Sequence, residues 1–298
     1  MTGAHTTRPN STGEFRRPLD SERDLFGLTH VGKVRKENQD HFLICTVHSQ
    51  VVINATSLPN FDQLDLRGPR LATIGLVADG VGGSDSGSDA SRLAAETITG
   101  YVASTLRSYH TAGSANDDVL MKSLTDAVLQ AHDVVRAESA TRSGTKPMAT
   151  TLTLCMGVWP WMYVVQVGDS RCYYFDGQKL HQVTRDQTIA QHLVDTGALP
   201  KERLGSSPFR HVLSSAIGGQ EALPAISRID LRRSGTTFMC SDGLTRHVTD
   251  EEIEAHIRAM TSSEQLCRTL LELALERGGL DNITILAARA PLAAATIK

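Results

Sequence analysis

Three aspartates of this 298-residue chain stand where apolar runs end or begin, each with glycine close by. Asp79 closes the run 74–78 and precedes Gly80-Val81-Gly82-Gly83. Asp242 follows Phe238-Met239-Cys240-Ser241 and precedes Gly243. Asp281 follows Gly278-Gly279-Leu280 and leads into the run 283–286. Short apolar runs bounded by turn signals read as buried strands, and glycine lets backbone come close to whatever the acid holds. One Asp-Gly alone is a turn. Three carboxylates at strand ends, remote in sequence, are the donor set of a hard cation such as Mg²⁺ or Mn²⁺, with the Gly80 carbonyl as a further ligand. Two such ions about 4 Å apart clamp a phosphoryl oxygen and acidify a bridging water. Zinc is disfavoured, because the eleven histidines form no H-x-x-x-H or H-x-E pair. Upstream, Arg35-Lys36-Glu37-Asn38-Gln39-Asp40 precedes another strand. An Arg fork there suits bidentate phosphate binding, and Asp40 suits hydrogen bonding to metal-held water. By itself that stretch is a charged turn.

The elements that must position these residues follow from periodicity. Regular structure is expected from about Phe26, with a strand over 41–47. Residues 49–70 read as a long hairpin connection or surface insertion, punctuated by Ser57, Pro59, Asn60, Gly68 and Pro69. Ala90, Leu93, Ala94, Ile98, Tyr101 and Val102 recur at helical spacing, as do Leu120, Leu124, Ala127, Val128, Ala131, Val134 and Val135 in a second helix begun by Asn116 or Asp117. Strands are expected over 150–158, 161–167, 171–175 and 179–183, with Asp176-Gly177 as a tight hairpin turn. A short helix over 188–196 precedes a polar loop, 197–210. Thr249-x-x-Glu252 and Thr261-x-x-Glu264 read as capping boxes of two late helices. The last of these stops at Gly278-Gly279, and a final strand covers 283–288. Short connections and paired helices point to an α+β fold, antiparallel sheets with helices packed outside.

The formal net charge of −3 and the scattered Lys and Arg exclude a nucleic-acid surface. The five cysteines (Cys45, Cys155, Cys172, Cys240, Cys267) form no C-x-x-C pair and mostly sit in apolar runs, which fits a reducing compartment. No apolar segment approaches a membrane span. The expected organisation is a disordered leader over 1–22, one domain over 23–290 and a short tail over 291–298, in a cytoplasmic monomer.

Six motifs occur in order: Gly32-x-x-Arg35-x-x-Asn38-Gln39-Asp40, Val77-Ala78-Asp79-Gly80-x-Gly82-Gly83, Ala149-Thr150-Thr151-Leu152, Val167-Gly168-Asp169-Ser170-Arg171, Cys240-Ser241-Asp242-Gly243-Leu244-Thr245 and Gly279-x-Asp281-Asn282-Ile283-Thr284. Together they resemble the metal-dependent type 2C serine/threonine protein phosphatases of the bacterial sort. The resemblance implies an αββα sandwich with a binuclear Mn²⁺ or Mg²⁺ centre at one end. It implies that Asp79 bridges both ions, that the Gly80 carbonyl binds one, and that Asp242 and Asp281 hold the other. Asp169, with Asp242, matches a site for a third ion. Asp40 matches a residue orienting metal-held water, Arg35 one gripping the substrate phosphate, and Gln39 and Asn282 partners that fix their neighbours. The implied reaction is hydrolysis of phosphoserine or phosphothreonine by a metal-bridging hydroxide, on phosphoproteins made by a serine/threonine kinase. The alternative is a weak or inactive relative that binds phosphoproteins.

Some positions depart from the family pattern. Gln39 stands where many relatives have Glu, and Val81 and Ser84 stand where relatives carry histidine, so neither supplies a protein acid for the leaving oxygen. Gln187 replaces a common histidine where a flap over 186–211 begins. His211, at the end of that flap, is expected as a packed, hydrogen-bonded residue.

Overall fold

A computed structural model describes residues 16–50, 53, 55, 67–82, 84–111, 117–142, 147–231 and 235–290. Eleven strands among these form two antiparallel sheets. The strands β1 (Asp24–His30), β2 (Asp40–Gln50), β3 (Arg67–Val81), β4 (Ala149–Thr150), β5 (Leu152–Val158) and β6 (Trp161–Val167) are followed by β7 (Arg171–Phe175), β8 (Leu180–Gln182), β9 (Ala225–Asp230), β10 (Thr236–Cys240) and β11 (Ile283–Arg289). One sheet runs β1-β11-β10-β7-β8 and the other β2-β3-β5-β6-β9, with β4 paired to the end of β3. Helices α1 (Ser84–Thr111) and α2 (Asp117–Thr141) cover the six-stranded sheet. Helices α5 (Asp250–Ala259) and α6 (Ser263–Glu276) cover the other, after the short α3 (Ile189–Asp195) and α4 (Asp242–Thr245). The architecture is the expected α+β sandwich.

Three apolar layers hold it together. Leu76, Leu154, Met156 and Tyr163 pack under Ile98, Leu106, Leu120 and Leu124 of the first helix pair. Tyr173, Phe238 and Ile285 pack under Ile253, Ile257, Leu266 and Leu270 of the second. Val77, Val164, Met239 and Leu286 meet between the sheets. Strands β5 and β6 are covered on both faces, which is why 152–158 and 161–167 read as unbroken apolar runs rather than alternating ones.

Several expectations are refined. The strand predicted over 150–158 breaks at Thr151, whose amide donates to the Asp79 carbonyl (2.9 Å) instead of continuing one ladder. The capping box at Thr249 forms, with Thr249 Oγ1 accepting from the Glu252 amide and Glu252 accepting from the Thr249 amide. The one predicted at Thr261-x-x-Glu264 does not. The cap of α6 is Ser262, whose hydroxyl accepts from the Gln265 amide at 3.0 Å, while Gln265 Oε1 accepts from the Thr261 amide. Strand β9 was not foreseen; its exposed, charge-bearing pattern at a sheet edge lacks the apolar signal of β5. Residues 16–22, expected within the disordered leader, lie against the sandwich: Asp20–Glu22 form a 3₁₀ turn, Arg70 pairs with Asp20, and Arg70 Nη2 donates to the Pro18 carbonyl at 2.7 Å. The rest of the leader, and most of the 49–70 segment between its flanking strands, lie outside the described residues.

Candidate metal centre

One end of the sandwich gathers the acids. Register places Asp40 of β2 directly across from Asp79 of β3. β10 delivers Asp242 at the first turn of α4, and the turn before β11 delivers Asp281. Asp169 sits in the β6–β7 connection, next to Ser170, whose hydroxyl meets Thr151 Oγ1 at 2.8 Å. The backbone of Asp79 is fixed on both sides, its amide donating to Thr151 Oγ1 and its carbonyl accepting from Thr150 Oγ1 (2.9 Å). Gly80 cannot be larger: a Cβ there would stand 2.2 Å from the Gly87 carbonyl oxygen.

Asp40 is 3% exposed. Its Oδ2 accepts from Thr284 Oγ1 (2.7 Å) and Ser241 Oγ (2.8 Å), while Oδ1 is buried without a hydrogen-bond partner among the described residues. Burial pushes its carboxyl up to about 7, with the charges of Asp242 and Asp281 adding to it and the two hydroxyls opposing. Asp79 is raised well above the carboxylate range, first by burial and then by Asp40, Asp242, Asp169 and Asp281. Asp169 is raised by burial, then by Asp242 and Asp186. These carboxylates therefore sense one another, and each is ionised at a cost that a cation relieves.

Two arginines lie among them. Arg35 holds Asp281 bidentately, Nε to Oδ1 at 2.7 Å and Nη2 to Oδ2 at 2.8 Å. Arg246 binds Asp242 Oδ2 through Nε at 2.9 Å and Asp281 Oδ2 through Nη1 at 3.0 Å, so one guanidinium ties the two acids together. Asn282 clamps the loop that carries Arg35. Its Nδ2 donates to the carbonyls of Val31 and Glu37 (both 2.9 Å), and its Oδ1 accepts from the Gln39 amide (2.9 Å). The Gln39 carbonyl in turn accepts from the Gly80 amide and Ser91 Oγ. Gln187 ties residues 166–168 to the 213–223 loop, accepting from the Gly168 amide (2.8 Å) and donating to the Leu223 carbonyl (2.8 Å).

His211 is hydrogen-bonded as expected, its Nε2 accepting from Arg210 Nε at 2.9 Å, but it is not packed. It is exposed, its Nδ1 lies 3.8 Å from Asp242 Oδ2, and ligand atoms of Asp169, His211 and Asp242 fall within 4.8 Å of one another. Arg246, Ser241 and Thr284 were also missed as parts of the site. Arg246 stands one residue beyond the Cys240–Thr245 motif, and the two hydroxyl residues lie inside motifs whose aspartates drew the attention. Val81 is exposed at the site's edge and carries no titratable group.

Asp40 Oδ1, buried and without a partner among the described residues, and the raised carboxyls of Asp79 and Asp169 make an oxygen-rich donor set suited to hard divalent cations. The fold and site together define an α+β sandwich with a candidate metal centre at one end. The family profile described as Protein phosphatase 2C matches residues 53–276, and the chain belongs to that family. It is 32% identical over 212 residues to the serine/threonine protein phosphatase PstP of Mycobacterium tuberculosis, a match covering 71% of this chain and 39% of PstP. The match thus spans well under half the length of that relative. It is 27% identical over 214 residues to a serine/threonine phosphatase stp of Listeria monocytogenes, covering 72% of this chain and 82% of the other. The crystal structure of the PstP catalytic domain in complex with two manganese ions is similar with a TM-score of 0.67 at 26% identity, covering 90% of this chain and 97% of that one. Among the described residues no helix is long and apolar enough to cross a membrane.

Proposed function

We propose that the chain is a divalent-cation-dependent phosphatase of phosphoserine and phosphothreonine in proteins. The observation that carries this reading is the convergence of Asp40, Asp79, Asp169, Asp242 and Asp281 on one end of the sandwich, in a network where each raises or pairs with another. Asp79, the Gly80 carbonyl, Asp242 and Asp281 would hold two cations, with Asp169 and Asp242 able to hold a third. When bound, Mn²⁺ or Mg²⁺ supplies Lewis acidity toward phosphoryl oxygens and lowers the pKa of water toward neutrality.

The protein's own part is positioning. Thr284 and Ser241 fix Asp40 Oδ2, which leaves Oδ1 as the acceptor that orients an attacking water and takes its proton. Arg35 is half exposed, and its guanidinium matches the geometry of a phosphate dianion, so it grips the substrate when it turns from Asp281. Asn282 and Gln39 hold the Arg35 loop and the Gly80 backbone in register. We place the activity in the cytoplasm, in a monomer that reverses a serine/threonine kinase in signalling; five free cysteines are compatible with a reducing compartment.

The test is Mn²⁺-dependent turnover of p-nitrophenyl phosphate and a phosphothreonine peptide by Asp79→Asn and Asp242→Asn variants that keep the parent's circular dichroism. Turnover should fall by at least about 100-fold, as loss of groups that stabilise transition-state charge does. Parent-like rates in either variant would refute the mechanism, and a parent that binds no Mn²⁺ by calorimetry would point to a phosphoprotein-binding relative instead.

A further inference from the structure

The two sheets do not fill the space between them at the strand ends remote from the acids. A cavity of 310 Å³ opens there, walled by Ile44 and Ile74 of one sheet, Met239 and Leu286 of the other, and Met162. That volume lies within the range of small-molecule sites. The backbone does not force the opening. A Cβ on Gly75 would stand 3.5 Å from Met239 Sδ and 3.7 Å from Leu286 Cδ2, and one on Gly157 would stand 3.7 Å from Leu231 Cδ1, all ordinary contacts. A methyl group fits at both positions, so the described residues leave a void that costs stability.

The mouth of the cavity is cationic. Arg16, Arg17, Arg23, Arg70 and Arg289 all line it. The carboxylates among them are fewer: Glu22 pairs with Arg16, Asp20 with Arg70 and Arg23, and Asp24 with Arg289. Arg17 has no ion pair among the described residues. Arg23 Nε is buried without a hydrogen-bond partner among the described residues. Burial and the charge of Arg70 lower the pKa of both Arg17 and Arg23, with Asp20 opposing, as expected where cations crowd together. Apolar walls with a few convergent polar groups at one end are the make-up of a site for an amphipathic ligand.

We propose that this inter-sheet cavity binds an aliphatic carboxylate, its chain between Ile74, Met162, Met239 and Leu286 and its head group on Arg17 and Arg23. The inference does not rest on the phosphatase reading, since the cavity shares no residue with the acid cluster.

Titration of the full chain with dodecanoate, below its micelle concentration and read by calorimetry and by fluorescence of Trp159 in the cavity wall, tests it. The expected result is saturable one-site binding that weakens about four-fold for each methylene removed from the chain. Arg17→Glu, a change at a half-buried position in the cavity mouth, should weaken binding at least ten-fold, and Gly75→Val should abolish it, while both keep the parent's Mn²⁺-dependent p-nitrophenyl phosphate turnover as evidence of folding. If Gly75→Val does not fold, Arg17→Glu and the chain-length series still decide. Absence of saturable binding to the parent, undiminished affinity in Arg17→Glu, or equally tight binding of dodecyltrimethylammonium would each overturn the proposal.

Discussion

A carboxyl buried with one oxygen fixed by two hydroxyls and the other without a partner among the described residues, as Asp40 is, sits at the balance between ionising and holding a proton. Its folded pKa is raised from the ordinary carboxylate value to about 7, so the fold favours the protonated form. As pH rises through the unfolded value the unfolded chain gives up this proton while the folded chain keeps it. Stability of the cation-free protein therefore falls between the unfolded pKa and about pH 7, by at most about 1.4 kcal/mol per pH unit from this group. Asp40→Asn removes that titration. In chelator, its melting temperature relative to the parent should rise steadily from pH 4.5 to 7.5, and two parallel curves would show that Asp40 ionises normally. Arg246 belongs to the same scale. By bonding Asp242 and Asp281 together it brings positive charge into the cluster, and no feature of its neighbours in sequence marks it as different from a surface arginine.

At the scale of elements, the site is built from strand ends and the turns that follow them. Asn282 ties the turn before β11 to the loop before β2, so two segments some 245 positions apart move as one. Hydrogen bonds of this kind contribute about 1 kcal/mol each, and more when their loss strands a partner. The start of α6 offers a sharper test, because the capping box expected at Thr261 is replaced by Ser262. Ser262→Ala should lower stability in urea by about 1 kcal/mol, and Thr261→Ala, whose role here is through its backbone, by less than about 0.5 kcal/mol. The reverse order would return the cap to Thr261. Periodicity could not separate the two, since both are good caps one residue apart and only the helix's first hydrogen bonds choose between them.

For the whole molecule, clustering acids at one end of a sandwich stores repulsion that cations should relieve. With Mn²⁺ at about 100 times its dissociation constant, the folded state should gain about 2.7 kcal/mol. Thermal unfolding should accordingly shift upward on adding Mn²⁺ and back on adding chelator, and the Asp242→Asn variant should shift less; a melting temperature indifferent to both reagents would refute the cation centre. The αββα layering and its antiparallel strands were legible in the chain, because burial on one or two faces imposes its period directly on residue type. So were Asp79, Asp242 and Asp281, because three acids at the ends of apolar strands beside glycine are hard to read as separate turns; Asp40 and Asp169 were reached through the family motifs. Pairings between distant side chains were not legible: Arg35 against Asp281, Arg246 bridging two acids, His211 turned toward Asp242, Ser241 and Thr284 on Asp40, and the cavity between the sheets. Local sequence sets which face a residue presents, whereas its partner across the sandwich depends on how the sheets stack and twist, and only the folded chain decides that.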